Sequence, residues 1–523
     1  MLQFPKINGK FLAQRGYFQI PGELSADLGE FDSYCLEAFI QRMGLISAEK
    51  APWLILRRDV ALPAEGYRLV VTPETIQLFS SSEPGIIHGL TTLYLAREGD
   101  RIPCCEIADA PKYPHRGQSM DPVRHFFGPE EIKKILEQMA LVKMNVFHLH
   151  LSDDQGWRIE SKRFPALHQT GRDFYTQDQL REIVEFARIR GIEVIPEIDL
   201  PGHTSAMLAA YPELGCTGNR PNLATGGGIY TTILCAGQER VYDFLEELLE
   251  EICPIFPSSR FHIGGDEAPK GQWSRCPHCR RKLQELGSEN FEDLQSHFTA
   301  RVADMLKRHG KIPLCWNESL KGSPLPPDIQ IQYWTSDCAK SMISFAEKGG
   351  KFLYSSMFDL YFDYPYSMTG VRKLYRRKRK IGGKPCENYP GFLGLESAIW
   401  TEHIDTKASL EAHLFPRLYI VAEKAWSGGH KPYAAFLSDL EKLCDLAKKN
   451  GVTPMVRDQW NPRGNARREE ALDFFQKMNG GVLEDTAQEN QEKVDPNIRF
   501  MVDYVTSFFR LSDLPKLAKL YFK

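Results

Sequence analysis

The chain runs to 523 residues, with 65 Lys and Arg against 68 Asp and Glu and a formal net charge of −3. That length admits two or three domains, one of them large enough for a complete (β/α)8 barrel. The near balance of charge excludes a global pull toward nucleic acid or anionic membrane, so a charged ligand must be met by a local site.

The opening stretch, Met1 to Lys6, lacks a basic region followed by an apolar one, and no run of about 18 apolar residues occurs. The chain is therefore expected to be cytoplasmic, unexported and without a membrane span. Its twelve cysteines are scattered rather than densely spaced, which points to reduced thiols and not to a disulfide framework. Cys276-Pro-His-Cys279 is half of a zinc knuckle, but no second CxxC or HxxxH follows it. A structural zinc needs four ligands, so no metal site is expected there.

Residues 1–110 alternate short strands with turns, at Trp53–Leu56, Tyr67–Val71 and Ile76–Phe79, and close on a helical run from about Ile87 to Ala96. No acidic pair, nucleophile or phosphate loop stands out, and the segment reads as a small α/β packing domain. From about Tyr113 the pattern becomes strand, helix, strand, helix. Pro129-Glu-Glu opens a helix with acids near the positive end of its dipole, and Ile132, Ile135, Leu136 and Met139 share one face. Thr176 to Gln179 has the spacing of a capping box, and Gly191 ends the helix that follows. Strands are expected at 115–121, 144–151, 192–198, 261–263, 312–316, 329–334, 352–354 and 393–400. About eight strands in βα units predict a closed (β/α)8 barrel over 111–430, with its chemistry at the strand ends. Residues 431–523 read as a helical extension ending in an amphipathic run with Met501, Val502, Val505, Phe508 and Phe509. That run either packs on the barrel or makes a dimer contact, so a monomer or a homodimer is expected.

Five clusters fall at predicted strand ends. In Asp121-Pro-Val-Arg124-His125, the guanidinium fork of Arg124 suits two vicinal hydroxyls. His148-Leu-His150 puts two histidines on one strand face, an HxH pattern that invites a metallo-barrel reading, although no lysine, second histidine pair and aspartate complete a binuclear site downstream. Asp153 and Asp154 follow beside Trp157. Glu197-Ile-Asp199-Leu-Pro-Gly-His203 ends in a turn that aims His203 back over the barrel mouth, where it can tune a proton donor. Phe261-His-Ile-Gly-Gly-Asp266-Glu267 sets adjacent carboxylates behind a Gly-Gly bend. Neighbouring strand residues face opposite ways, so these two carboxylates are expected to have different jobs. Trp316, Trp334, Tyr361 and Trp400 suggest a box for a sugar or acyl group, with Asp363 and Glu402 as acceptors for hydroxyls.

The segments 116–126, 145–157, 196–203 and 262–267, in this order and spacing, resemble the family-20 glycoside hydrolases, the β-N-acetylhexosaminidases. The similarity continues to Trp400-Thr-Glu402, and 66–93 resembles that family's accessory α/β domain, so about residues 1–430 are covered. The resemblance implies retaining, exo-acting hydrolysis of terminal β-linked N-acetylhexosamine in which the substrate's own 2-acetamido oxygen attacks the anomeric carbon. It implies that Glu267 is the general acid and then base, that Asp266 orients the acetamido group, and that Asp153 and His203 form a link to Glu267. Arg124 would bind the 3- and 4-hydroxyls. Trp316, Trp334 and Trp400 would enclose the acetamido methyl and the ring, Tyr361 would hydrogen-bond the carbonyl, and Asp363 and Glu402 would contact the outer hydroxyls. Neither a metal nor an organic cofactor is implied. A glycan-binding protein on a dead barrel would need the aromatics and Arg124 but not Asp266, Glu267, Asp153 and His203 together; a metal-dependent barrel hydrolase is the third reading. The basic run Arg372 to Lys380 lies outside the family pattern and reads as a solvated face, or as a recruiter of an anionic glycan or surface.

Overall fold

Eight of the apolar runs close on one another. In the computed structural model, which describes residues 2–485 apart from Arg172 and His430, and the final helix without side chains at 475, 476 and 478–485, the barrel strands are all parallel. They are His115–Met120, Val146–His150, Glu193–Glu197, Arg260–His262, Ile312–Trp316, Gln330–Tyr333, Phe352–Tyr354 and Phe392–Ile399, and the last pairs with the first to close the ring. Each lies within about two residues of its expected place. The (β/α)8 expectation holds.

The helices obey local signals. Gln177–Arg188 starts in a reciprocal capping box, with Gln179 N–H donating to Thr176 Oγ1 (3.1 Å) and Thr176 N–H to Gln179 Oε1 (2.9 Å). Pro129–Leu141 begins with its proline and buries Ile132, Ile135, Leu136 and Met139 as the periodicity requires.

Inside the barrel, strand parity separates two levels. Val146, Ile195, Leu314 and Leu353 form an apolar cluster of their own. Further along three of those inward faces come His148, Glu197 and Trp316, joined by Glu396 from the last strand, so the upper interior is polar and aromatic. This is the floor on which the site is built.

The N-terminal unit is a six-stranded sheet, Lys10–Gln19, Arg101–Asp109, Tyr67–Val71, Ile76–Ser80, Leu54–Arg58 and Ala26–Asp27 in spatial order. It is covered by helices Tyr34–Met43 and Glu83–Ala96; the second starts four residues before its apolar pattern because Ser82 caps it and accepts from Gly85 N–H. The unit locks onto the barrel through Arg116, whose fork grips Glu65 at 2.7 and 3.0 Å, and through Trp426 Nε1 donating to Asp109 (3.0 Å).

After the barrel come helices Tyr433–Lys449 and Gly464–Asp485. The expected amphipathic run from Met501 to Phe509 lies outside the described residues. The basic run is not one solvated face. Its helix Val371–Arg376 buries Leu374 and Tyr375, and Arg379 is buried 3.7 Å from Asp359. Among the described residues no helix is long and apolar enough to cross a membrane.

Candidate active site

The fourth strand ends at His262, and the chain then reverses through Gly264 (φ 75°), Gly265 (φ 97°) and Glu267 (φ 44°). A Cβ on Gly264 would lie 1.8 Å from Asp199 Oδ1, so only glycine fits at that close approach. Three hydrogen bonds hold the bend: Gly265 N–H to Asp199 (3.0 Å), Gln295 Nε2 to Gly265 O (2.7 Å), and Glu267 N–H to Glu318 Oε2 (2.9 Å). This is the sharp bend that adjacent carboxylates require if both are to face one pocket. His203, at φ 53°, is the other site residue in the left-handed region. Such backbone costs about 1 kcal/mol or more for a non-glycine residue and persists only where its surroundings impose it.

His203 stands between the acids. Its Nδ1 is 3.0 Å from Asp153 Oδ1, while Nε2 is 3.5 Å from Glu267 Oε2 and 4.0 Å from Asp266 Oδ2. The expected link from Asp153 through His203 to Glu267 is therefore present as geometry. Burial opposes a charge on His203, yet the Asp153 carboxylate and its hydrogen bond outweigh that and raise the imidazole well above its ordinary value. Asp153 is also buried, but Arg124 and His203 hold it well below the usual carboxylate range.

Asp266 has the opposite environment. Burial, with the like charges of Asp199 and Glu267, pushes its carboxyl well above the ordinary range, and Oδ1 is buried without a hydrogen-bond partner. An amide N–H and a developing positive charge are what such a group lacks.

Arg124 reaches over Trp400, 5.3 Å from the ring centroid, and is pinned by Asp153 (2.6 Å), Asp121 (3.0 Å) and Gln155 (3.1 Å). A guanidinium has five N–H donors. Three are engaged, which leaves two for vicinal hydroxyls. Asp153 thus ties the arginine to the histidine in one rigid unit.

The aromatic box forms. Trp316 lies 6.0 Å from Trp400, Trp400 lies 5.8 Å from Tyr361, and Tyr361 stacks on Trp334 at 6.2 Å with 9° between planes. Trp316, Trp334 and Trp400 follow strand ends, but Tyr361 rejoins the sheet by bridging to Ala398. Asp363 is pushed up to about 8 by burial and the nearby Glu402 charge, and its Oδ1 has no partner. Glu402 accepts from Gly228 N–H (3.3 Å), which brings the 217–229 loop to the pocket rim.

Several supporting residues escaped the sequence reading. Glu197, completely buried, accepts from Trp316 Nε1 (2.8 Å) and His150 Nδ1 (2.7 Å) and lies 3.0 Å from His262 Nδ1. It orients the floor of the aromatic box. Glu396 meets His148 (2.8 Å), His115 (2.7 Å) and Gln332 (2.8 Å). The HxH pair therefore serves a carboxylate network. Burial opposes charge on His148, but Glu197 and Glu396 prevail and raise it to about 9. Asp199 and Glu318 brace the acidic turn. Glu197 and Asp199 stand two positions apart at a strand end, but nothing in the sequence says which groups each would hold.

A barrel with a pocket of this kind at the C-terminal ends of its strands defines a class, the barrel glycoside hydrolases. Residues 113–429 match the family model "Glycosyl hydrolase family 20, catalytic domain", and 36–110 match "Glycosyl hydrolase family 20, domain 2". The chain belongs to glycosyl hydrolase family 20. It is 32% identical over 444 residues to a beta-hexosaminidase of Porphyromonas gingivalis, covering 78% of this chain and 57% of that protein. It is 33% identical over 412 residues to a beta-hexosaminidase of Akkermansia muciniphila, covering 72% and 83%. The crystal structure of beta-N-acetylhexosaminidase from Bacteroides fragilis superposes with a TM-score of 0.80 at 30% identity, covering 87% of this chain and 97% of that one.

Proposed function

We propose that this chain is a retaining, exo-acting β-N-acetylhexosaminidase that removes terminal β-linked N-acetylglucosamine or N-acetylgalactosamine from glycans by substrate-assisted catalysis. The observation that carries this is the unequal setting of Asp266 and Glu267. Asp266 is half-buried, with one buried oxygen that has no hydrogen-bond partner, and it lies close enough to raise Tyr361 of the box, while Glu267 faces His203. The names of the relatives in Porphyromonas and Akkermansia support the same reading.

The acetamido methyl lodges among Trp316, Trp334 and Trp400, its carbonyl meets the Tyr361 hydroxyl, and its N–H donates to Asp266. Arg124 spends its two free donors on the 3- and 4-hydroxyls, and Asp363 and Glu402 take the outer ones. Glu267 gives its proton to the glycosidic oxygen as the acetamido oxygen attacks the anomeric carbon; the C–O bond breaks, the alcohol leaves, and an oxazolinium ion remains. Asp266 faces the positive charge on its nitrogen, which is greatest near the transition state. His203, held cationic by Asp153, stabilises the Glu267 carboxylate just formed. That carboxylate then takes a proton from water attacking the same face from which the alcohol left, and the configuration is retained.

The test is a pair of aryl glycosides. The β-N-acetylglucosaminide is cleaved and the plain β-glucoside is left intact, because only the first carries its nucleophile. Equal rates on both refute the mechanism. We also propose a reducing, cytoplasmic setting, supported by twelve cysteines that are all unbridged and, except Cys216, buried. Recovery of the activity in an oxidising extracytoplasmic fraction refutes it.

A further inference from the structure

The half-knuckle at Cys276-Pro-His-Cys279 has its other half. Cys216 and Cys235, from the long connection after the third barrel strand, meet it, and the four sulfurs all lie within 4.8 Å of one another. Three of the separations are 3.7 Å (Cys216 to Cys279), 3.7 Å (Cys235 to Cys276) and 3.6 Å (Cys235 to Cys279). Four thiolates around zinc at about 2.3 Å stand about 3.8 Å apart along each edge of the tetrahedron. A disulfide needs about 2.05 Å and satisfies its sulfurs in pairs, whereas Cys235 and Cys279 each face two neighbours here. No second CxxC or HxxxH follows Cys276 to Cys279 in the sequence because the two sulfurs that meet it come from upstream, 19 positions apart.

The backbone around the cluster is shaped as a ligand cradle. Cys276 stands at the N-cap of helix Pro277–Glu285 and Cys279 in its first turn, where the helix dipole favours thiolates. Gly237 packs so closely on this turn that a Cβ would lie 2.3 Å from the His278 carbonyl carbon and 2.5 Å from Cys279 N. Cys235 N–H donates to Leu214 O (2.8 Å), and Gly215 bridges to Leu234, so Cys216 and Cys235 are held side by side. Cys235, Cys276 and Cys279 are buried and Cys216 is half-buried, so the site is closed, with no position for substrate or catalytic water.

We propose that Cys216, Cys235, Cys276 and Cys279 form a structural tetrathiolate site for one zinc ion, which cross-links the connection after the third strand to the helices after the fourth. Those two connections carry the catalytic groups. The first begins with His203, and its 224–228 segment touches Asp154 O through Ala224 N–H (3.2 Å), Gln155 through Gly226 O (2.8 Å) and Glu402 through Gly228 N–H (3.3 Å). The second begins with Asp266 and Glu267 and includes Trp273, whose Nε1 donates to Leu234 O (2.8 Å). The ion would fix the wall of the sugar pocket from about one loop's length away and take no part in the reaction. Four thiolates in a closed tetrahedron select zinc, with a single iron ion as the other occupant of such a site.

The experiment measures metal in the full chain purified without chelator from zinc-supplemented cells, by elemental mass spectrometry, with alkylation of native thiols mapped by peptide mass spectrometry. The expected result is one zinc per chain, with these four cysteines protected until a mercurial reagent releases the ion stoichiometrically. Cys276→Ser/Cys279→Ser should lose the zinc, whereas Cys386→Ser, at a buried cysteine outside the cluster, should retain it. Protein with no metal and alkylatable cluster thiols, disulfides among the four, or zinc retained by the double variant each overturn the proposal. Iron at these sulfurs overturns the choice of ion. Should the double variant fail to fold, the stoichiometry and thiol map of the unaltered protein decide the matter alone.

Discussion

Asp266→Asn is the substitution that separates transition-state stabilisation from binding. The amide is isosteric and can still accept from the acetamido N–H, so substrate affinity should change little. What disappears is one negative charge beside the oxazolinium nitrogen, whose positive charge draws the raised Asp266 carboxyl back to its ionised form. The carboxylate hydrogen-bonded to that nitrogen places the charges about 4 Å apart, and at an effective dielectric of about 20 their interaction is about 4 kcal/mol. The positive charge is incomplete at the transition state, so about 3 to 4 kcal/mol is lost there, or about 10²- to 10³-fold in kcat. The structure makes this estimate specific, because Asp266 Oδ1 is buried and has no other partner to absorb the change. Initial rates on an aryl N-acetyl-β-glucosaminide, with kcat and KM separated, read the effect. A rise in KM at unchanged kcat would refute the reasoning and make Asp266 a residue of uniform binding.

Glu267→Gln should remove most turnover of substrates with poor leaving groups and less of that on activated aryl glycosides, since only the former need the proton; an equal loss across a leaving-group series contradicts the acid role. Asp363, raised to about 8 from an ordinary value of 3.8, binds a proton in the folded chain that the unfolded chain releases between those values, so its contribution to stability falls as pH rises through that window. Asp363→Asn should therefore gain thermal stability relative to the parent between pH 5 and 8, roughly the span of that window, and a gap in Tm that is constant with pH refutes the assignment. Glu197→Ala would strand Trp316 Nε1 and His150 Nδ1 in a dry interior, at about 3 to 5 kcal/mol, visible as a lower urea midpoint with an unchanged slope.

The sequence displayed the barrel well because strands buried on both faces read as short apolar runs between amphipathic helices, and each boundary carries its own chemistry, such as Thr176 with Gln179 or Pro129 at a helix start. Most of the eleven residues singled out from the sequence meet at one pocket because they stand at or just beyond strand ends. Their supports were less legible. Glu197 and Glu396 sit on strands where parity shows that they face inward, but nothing in one chain says that they will divide four histidines between them. Tyr361 reaches the box only through a bridge to Ala398, a pairing invisible to local periodicity. The cysteines show the same limit more sharply. Cys276 and Cys279 announce themselves by spacing, whereas Cys216 and Cys235 are 19 positions apart in an irregular connection and become neighbours only because Gly215 pairs with Leu234.

Two of the three non-glycine residues with positive φ among those described are His203 and Glu267. Each lies at the start of one of the two connections that the cysteine cluster joins. Left-handed backbone at a histidine and a glutamate is unfavourable in isolation and relaxes unless both ends of the segment are held. The strand ends hold one side, through Asp199 and Glu318 on the acidic turn and Asp153 on the imidazole. The thiol cluster and the Trp273 bond to Leu234 hold the other. Restraint at both ends keeps His203 Nε2 at 3.5 Å from Glu267, a separation that allows the proton donor to move onto a glycosidic oxygen without first breaking a tight ion pair. A cross-link beyond the pocket thus acts on the chemistry through geometry alone, by keeping strained residues in place.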